Sequence, residues 1–405
     1  MRTIIAHRSE RMKIAFVYDV IYPFVKGGVE KRVWELALRL SRHGHEVHVF
    51  GMKFWEGDTI LIRDGVVLHG VCPAHNLYAH GRRTVGEAVY FSIHLINPLA
   101  KEKFDIIDCQ QFPYLSCISA KVVAVMKKIP LVITWHEVWG DYWYTYLGST
   151  GFLGKCIERL VLRLTPHVVA VSGTTARNLT ISGIKRTIRI IPNGVDLRRI
   201  NAILPSNEPS DLIFVGRLIK EKNVDVLIQA FGILASEQPG YTILIVGDGP
   251  ERQTITDIIH MHALENQVHL IGFREQHDEI IARMKSSKVC VLPSTREGFG
   301  ITALEALACG LPVVTVDHPA NAIRDFLTQS NGFVCTLSAQ DLADKIRLAL
   351  KHHTEMRNAC IASASSYDWD RTVADIESYY QTVIDGQSQS AGKQKEVTPD
   401  IKAGV

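Results

Sequence analysis

The stretch that most constrains the fold is residues 294–310, Ser-Thr-Arg-Glu-Gly-Phe-Gly-Ile-Thr-Ala-Leu-Glu-Ala-Leu-Ala-Cys-Gly. An apolar run at residues 289–292 reads as a buried strand, a glycine-bearing loop follows, and residues 302–309 read as a helix stopped by Gly310 and Pro312. Residues 313–316 begin another strand. Such a unit belongs in an open parallel sheet, where the loop and the helix N-terminus lie at the carboxyl ends of the strands and ligands bind there. Glu297 and Glu305 are therefore expected to face a ligand crevice. Gly298 and Gly300 remove side chains beside the first helical turn, so N–H groups without helical partners can meet a polar ligand. On spacing alone, Glu297 reads equally as a charge favoured by the helix dipole and Glu305 as part of a solvated face.

The same alternation runs through the rest of the chain. Strands are expected at residues 13–20, 46–50, 66–71, 105–109, 131–134, 167–171 and 188–191, with a helix over residues 29–40 and helices between most of the others. This pattern gives a parallel sheet covered on both faces. Lys26-Gly27-Gly28 lies between the first strand and helix, but the Gly-x-Gly-x-x-Gly fingerprint of dinucleotide binders is absent, which weakens an NAD reading. His136, in Trp135-His136-Glu137, follows a strand at its carboxyl edge, where an imidazole can hydrogen-bond a sugar; taken alone, a lone histidine is more often structural.

Six aromatic residues fall between Trp135 and Tyr146 in a chain that is 8% aromatic. Aromatic faces stack on sugar rings, so Trp139, Tyr142 and Trp143 are acceptor-side candidates; the alternative is a loop whose rings cover the core. Residues 152–164 read as an amphipathic helix with Lys155, Arg159 and Arg163 at four-residue spacing, either a stripe for anionic lipid or a solvated face.

Residues 201–210, with two prolines, read as a linker between a domain over residues 12–200 and a second over residues 211–366. In the second, Val215-Gly216-Arg217, Glu221-Lys222-Asn223 and Val246-Gly247-Asp248-Gly249-Pro250 follow strand ends, the last after a strand at residues 241–246. Gly272-Phe273-Arg274 follows the next strand. Helices are expected at residues 339–350, 355–364 and 371–384, the last capped by Asp370, with a disordered tail over residues 386–405.

These motifs, together with Ile191-Pro192-Asn193-Gly194-Val195-Asp196 and the Glu-x7-Glu spacing of Glu297 and Glu305, resemble the retaining glycosyltransferases of the glycogen synthase and sucrose synthase type, family 4. The resemblance implies the GT-B fold, two doubly wound α/β domains facing across a cleft. It also implies a nucleotide-diphosphate sugar as donor, a glycan or lipid-linked acceptor, and neither cofactor nor metal. By the same resemblance His136, Glu297, Arg217 and Lys222 carry the catalysis. Gly27, Gly28, Gly216, Gly272, Phe273, Gly298, Phe299, Gly300, Ile301 and Glu305 join Arg217, Lys222 and Glu297 in holding the donor. Arg217 and Lys222 would neutralise the diphosphate, Glu305 would accept from the ribose, and Glu297 would hold sugar hydroxyls. The helix expected at residues 371–384 would cross back to the first domain. A nucleotide-sugar epimerase of the same fold and a non-catalytic nucleotide-sugar-binding protein remain alternatives. A phosphorylase is disfavoured because no site for a pyridoxal cofactor is recognisable.

A net charge of +3 over 405 residues, with acids interleaved among the basic residues, does not give a nucleic-acid footprint. The eight cysteines are scattered without a Cys-x-x-Cys pair, as expected of reduced core residues in a cytosolic protein. Residues 1–12 lack the length of a signal-peptide core, and no apolar stretch approaches the ~20 residues that span a bilayer. The expected location is the cytoplasm, with any membrane contact peripheral at the inner face.

Overall fold

A computed structural model describes residues 11–74, 78–79 and 82–396. Two open sheets dominate it. The first has eight strands in the order Arg189–Ile190, His167–Ala170, Leu131–Trp135, Ile106–Gln110, Lys13–Val17, Glu46–Lys53, Val66–Pro73 and Ile60–Arg63. All neighbours pair in parallel except the last two, which form an antiparallel hairpin. The second has six parallel strands in the order Val268–Gly272, Ile243–Val246, Ser210–Val215, Ser287–Leu292, Val313–Val316 and Gly332–Cys335. Strands such as Leu131–Trp135 and Val313–Val316 are buried at every position, which is why they are continuous apolar runs rather than alternating ones.

Helices cover both faces of each sheet. On one face of the first sheet Phe91, Leu95, Cys117, Val123 and Trp135 pack together; on the other, Val33, Leu36 and Leu40 meet Trp369, Val373, Ile376 and Tyr380 of the last helix, Trp369–Glu396. The second sheet has its own core, including Phe214, Phe231, Leu304 and Ile346.

Several local expectations change. The hairpin strand Ile60–Arg63 was not anticipated, although Asp64-Gly65 is a hairpin-turn signal, and both residues take positive φ, 51° and 82°. Residues 339–350 and 355–364 belong to one helix, Ala339–Ser365, because Lys351-His352-His353-Thr354 between them contains no glycine or proline to stop it. The last helix is capped by Asp368, whose Oδ1 accepts from the Asp370 N–H at 2.8 Å, rather than by Asp370. That helix also continues to Glu396, past the point where a disordered tail was expected; its added turns contain no proline, and Gln387 donates to the Lys128 carbonyl at 3.0 Å. The last part of the expected tail, residues 397–405, lies outside the described residues. Leu197–Ala202 is helical and Ser210 already pairs in the second sheet, so the connecting segment is residues 203–209.

Candidate active site

The carboxyl ends of the two sheets face each other, and the loops leaving them meet in a cleft. Beyond strand Ser287–Leu292, the main chain at Glu297 is fixed on both sides: its N–H donates to the Ala320 carbonyl and its carbonyl accepts from Ala322, both at 2.9 Å. Helix Ile301–Ala308 then begins directly after Gly300. Gly298 lies against the first domain, where a Cβ would stand 2.0 Å from the His136 carbonyl oxygen. Thr175 Oγ1 clamps this approach, within 3.1 Å of the His136 carbonyl and 3.3 Å of the Gly298 carbonyl. Only glycine fits there. The sequence motif at Glu297 and the one at His136 thus converge.

The Lys222 ammonium, from the turn after strand Ser210–Val215, lies on the Glu297 carboxylate, and Ser294 Oγ donates to the same oxygen at 3.2 Å. Both charged side chains are mostly shielded, so each compensates the other in a partly dry site.

Glu305 is 5% exposed and lies one helical turn deeper. Its Oε1 receives Lys31 Nζ at 2.6 Å and His277 Nε2 at 3.0 Å. Burial pushes this carboxyl up, but the charges and hydrogen bonds of Lys31 and His277 more than offset that and hold it down at about 2. Lys31 belongs to the first domain, in helix Gly28–Arg42, which starts at the glycine loop. The loop itself touches the facing domain: Lys26 Nζ donates to the Glu275 carbonyl at 2.8 Å, and Gly28 lies beside Ile301. Neither Lys31 nor His277 was singled out in the sequence. A cation one turn after a glycine loop, and a histidine opening the helix after Gly272-Phe273-Arg274, were the available signals.

His136 is buried, and burial holds its imidazole well below the usual histidine range, with the Arg32 charge acting in the same direction. It is therefore neutral at neutral pH. Its Nε2 lies 2.8 Å from Gln110 Oε1. The Gln110 amide orientation is fixed because its Nε2 donates to Asp108 Oδ1 at 3.1 Å. Hence Nε2 of His136 carries the proton, and Nδ1 keeps a lone pair able to accept from a hydroxyl. Asp108 is buried in turn and accepts from Thr134 Oγ1 at 2.8 Å and from the Tyr380 hydroxyl of the last helix. Spacing gave no indication of this Asp108–Gln110 support.

The aromatic segment is arranged differently from the expectation. Trp143 is not presented to an acceptor: it is buried against Gly154, its Nε1 lies 3.3 Å from Glu158 Oε2, and it packs at 5.4 Å on the Tyr114 ring. A large indole with a satisfied N–H is a core residue here. Trp139 and Tyr142 instead hold Arg296 of the second domain, with the guanidinium 4.7 Å and 3.6 Å from their ring centroids. Arg296 also pairs with Glu137 at 2.8 Å, and the Tyr142 hydroxyl donates to Glu221, next to Lys222. These rings join the two domains at the residues adjoining Glu297 and Lys222.

At the other end of the cleft, Gly216, Gly247 and Gly272 end three neighbouring strands. Gly247, with φ 142°, donates to the Gly272 carbonyl at 2.9 Å, and a Cβ on it would meet the Gly216 oxygen at 1.9 Å. The resulting shelf carries exposed Arg217 at one strand end and the Phe273 ring, 57% exposed, at another. Phe299 is buried behind the Glu297 loop against Phe326 and Tyr367.

This architecture is shared with solved structures. Anabaena HepE, determined in complex with UDP and glucose, matches with a TM-score of 0.70 at 22% identity, over 90% of this chain and 98% of that one. Residues 26–199 match the family described as Glycosyltransferase Family 4, and residues 198–367 the one described as Glycosyl transferases group 1. Among curated proteins, the glycogen synthase of Mycobacterium tuberculosis is 37% identical over 404 residues, 93% of this chain and 96% of that protein. The gpi3 subunit of the Schizosaccharomyces pombe phosphatidylinositol N-acetylglucosaminyltransferase is 24% identical over 309 residues, 74% of this chain and 64% of that protein. Two Rossmann-like domains opposed at their strand ends are the GT-B fold, and the matched families together with the glycogen synthase relative make the chain a glycosyltransferase of that type. The chain belongs to glycosyltransferase family 4.

Proposed function

We propose that the chain moves a hexose from a nucleotide-diphosphate sugar to a hydroxyl of a glycan or lipid-linked acceptor, with retention of configuration and without a metal. The observation that carries this reading is the juncture of Gly298 with the His136 carbonyl, which brings one motif from each domain together in one cleft.

Cleavage of the bond between the anomeric carbon and the β-phosphate oxygen builds positive charge on the sugar and negative charge on the leaving group, and the protein's task is to stabilise both. Arg217 and Lys222 supply the cations for the diphosphate, the role a metal would otherwise fill. Lys222 then shares its charge between the phosphate and Glu297, whose carboxylate holds sugar hydroxyls. Neutral His136 accepts a hydroxyl hydrogen bond at Nδ1 and so orients the sugar from the first domain. Glu305 meets the ribose while Lys31 and His277 keep it ionised. No side chain is assigned as a covalent nucleophile; the leaving phosphate takes the acceptor's proton in a front-face displacement. The relatives support the reading through their printed activities: a glycogen synthase, a phosphatidylinositol N-acetylglucosaminyltransferase, and a structure holding UDP and glucose.

Thermal shift against a panel of nucleotide sugars identifies the donor, since a ligand at a hundred times its Kd adds about 2.7 kcal/mol of stability. Incubation of that donor with candidate acceptors, followed by anomer assignment by NMR and repeated in EDTA, tests the rest. Free epimerised sugar without glycoside, an inverted linkage, or Mn²⁺-restored activity after EDTA would each overturn the corresponding part.

A further inference from the structure

Between Asp141 and Asp196 the chain carries one carboxylate, Glu158, against seven lysines and arginines. Glu158 does not offset them at the surface. It is 2% exposed and points inward, accepting from the Tyr114 hydroxyl at 2.8 Å and from the Trp139 and Gly140 N–H groups at 2.9 Å. The outer face of helix Gly151–Val161 therefore carries no carboxylate of its own; Asp141 lies on Lys155 and leaves Arg159 and Arg163 uncompensated from within the helix. An open cavity of about 370 Å³ lies between the end of this helix and the turn after helix Gly173–Ile181, with Arg159, Arg163, Lys185 and Arg186 in its wall and no acid. Arg186 donates through Nη2 to the Leu162 carbonyl, while its buried Nε has no hydrogen-bond partner.

Apolar side chains accompany the cations. Ile181 is 83% exposed beside the cavity, and Phe152, Leu153 and Leu160 project from the same helix as Arg159. A soluble phosphate or a nucleic acid makes no use of such aliphatic side chains, whereas a bilayer surface takes both them and the cations. Residues 162–163 and 182–186 precede strands His167–Ala170 and Arg189–Ile190, so the cavity lies at the amino ends of the first sheet, at the edge away from the cleft.

We propose that this face seats the first domain on an anionic phospholipid bilayer, with a lipid phosphate in the cavity and the apolar side chains in the interface. Its position leaves the cleft open to a donor, and binding does not depend on the transferase reading. The test is co-sedimentation of the full chain with vesicles of phosphatidylcholine alone and of phosphatidylcholine mixed with phosphatidylglycerol. Binding is expected to the mixed vesicles only and to weaken with salt. Each cation near such a surface contributes about fivefold in partition, so R163A combined with K185A should weaken binding about 25-fold, and Ile181→Asn should weaken it further. Circular dichroism should match the wild type. Equal binding to both vesicles, binding to neither, or undiminished binding by the double variant overturns the proposal. Release from the vesicles by millimolar inorganic phosphate would make the cavity a soluble-anion site and would also overturn it.

Discussion

The loop at residues 294–310 and the aromatic segment at residues 135–146 look equally rich in sequence, yet the structure uses them in different ways. The glycines of the loop specify where backbone must approach backbone, and Gly298 against the His136 carbonyl is such an approach. The rings of the segment specify only large apolar surfaces with polar edges, which serve a core, a domain contact or a ligand alike. Trp135 and Trp143 take the first role, and Trp139 and Tyr142 the second. A residue chosen for backbone space reveals its neighbour's distance, whereas a residue chosen for bulk does not reveal its neighbour.

The sharpest way to break this contrast is Trp143→Ala. As a core residue it should lower unfolding stability by about 3–5 kcal/mol in denaturant titration. An unchanged midpoint with a raised acceptor KM would restore the stacking role. Next in size is Glu297→Gln, which removes the charge facing the sugar and Lys222 and should reduce kcat about 100- to 1000-fold, more than it raises KM. Glu305→Gln should mainly raise the donor KM. Identical kinetic signatures for the two would erase the distinction between them. Gly298→Ala should cost about 100-fold in turnover by prising the loop from His136; near-normal activity would show that the approach at the cleft is dispensable. Tyr142→Phe, which loses only the hydroxyl donated to Glu221, should cost about 1 kcal/mol, roughly fivefold in kcat/KM.

The smallest effect at ordinary pH concerns Glu305. Its folded pKa of about 2 is below the ordinary carboxyl value of 4.5, so its stabilisation is complete above pH 4.5 and is lost as pH falls towards 2. Thermal melts should show no pH dependence from it between pH 5 and 8, where its contribution is constant, and Glu305→Gln should flatten the acid side of the profile. A slope unchanged in the variant would detach Glu305 from Lys31 and His277.

The two-sheet architecture was legible because parallel strands buried on both faces leave continuous apolar runs, and loop glycines mark strand ends. The supporting partners were not. Lys31 reaches Glu305 and Arg296 reaches Trp139 only once the domains face each other, and nothing in local spacing records that encounter. Trp143 was hidden for a different reason: its inward direction depends on Gly154 and Glu158 of the following helix in the same domain, and ring size alone does not record that packing. Asp64-Gly65 differs, since its hairpin-turn signal is wholly local and lies in the sequence itself.

The last helix alters the order in which the molecule can be completed. Trp369, Val373, Ile376 and Tyr380 form one wall of a core whose other residues, Ile14, Phe16, Val33 and Leu36, lie near the start of the chain. A ribosome delivers the two sets far apart in synthesis, with the whole second sheet in between. The earliest domain to emerge is thus the last to close. Until Tyr380 leaves the exit tunnel, Asp108 lacks its phenol partner and the relay through Gln110 to His136 is missing one donor. A product cut before this helix therefore exposes an apolar wall and leaves the buried Asp108 carboxylate without its phenol donor, which couples the last helix to the core of the first sheet.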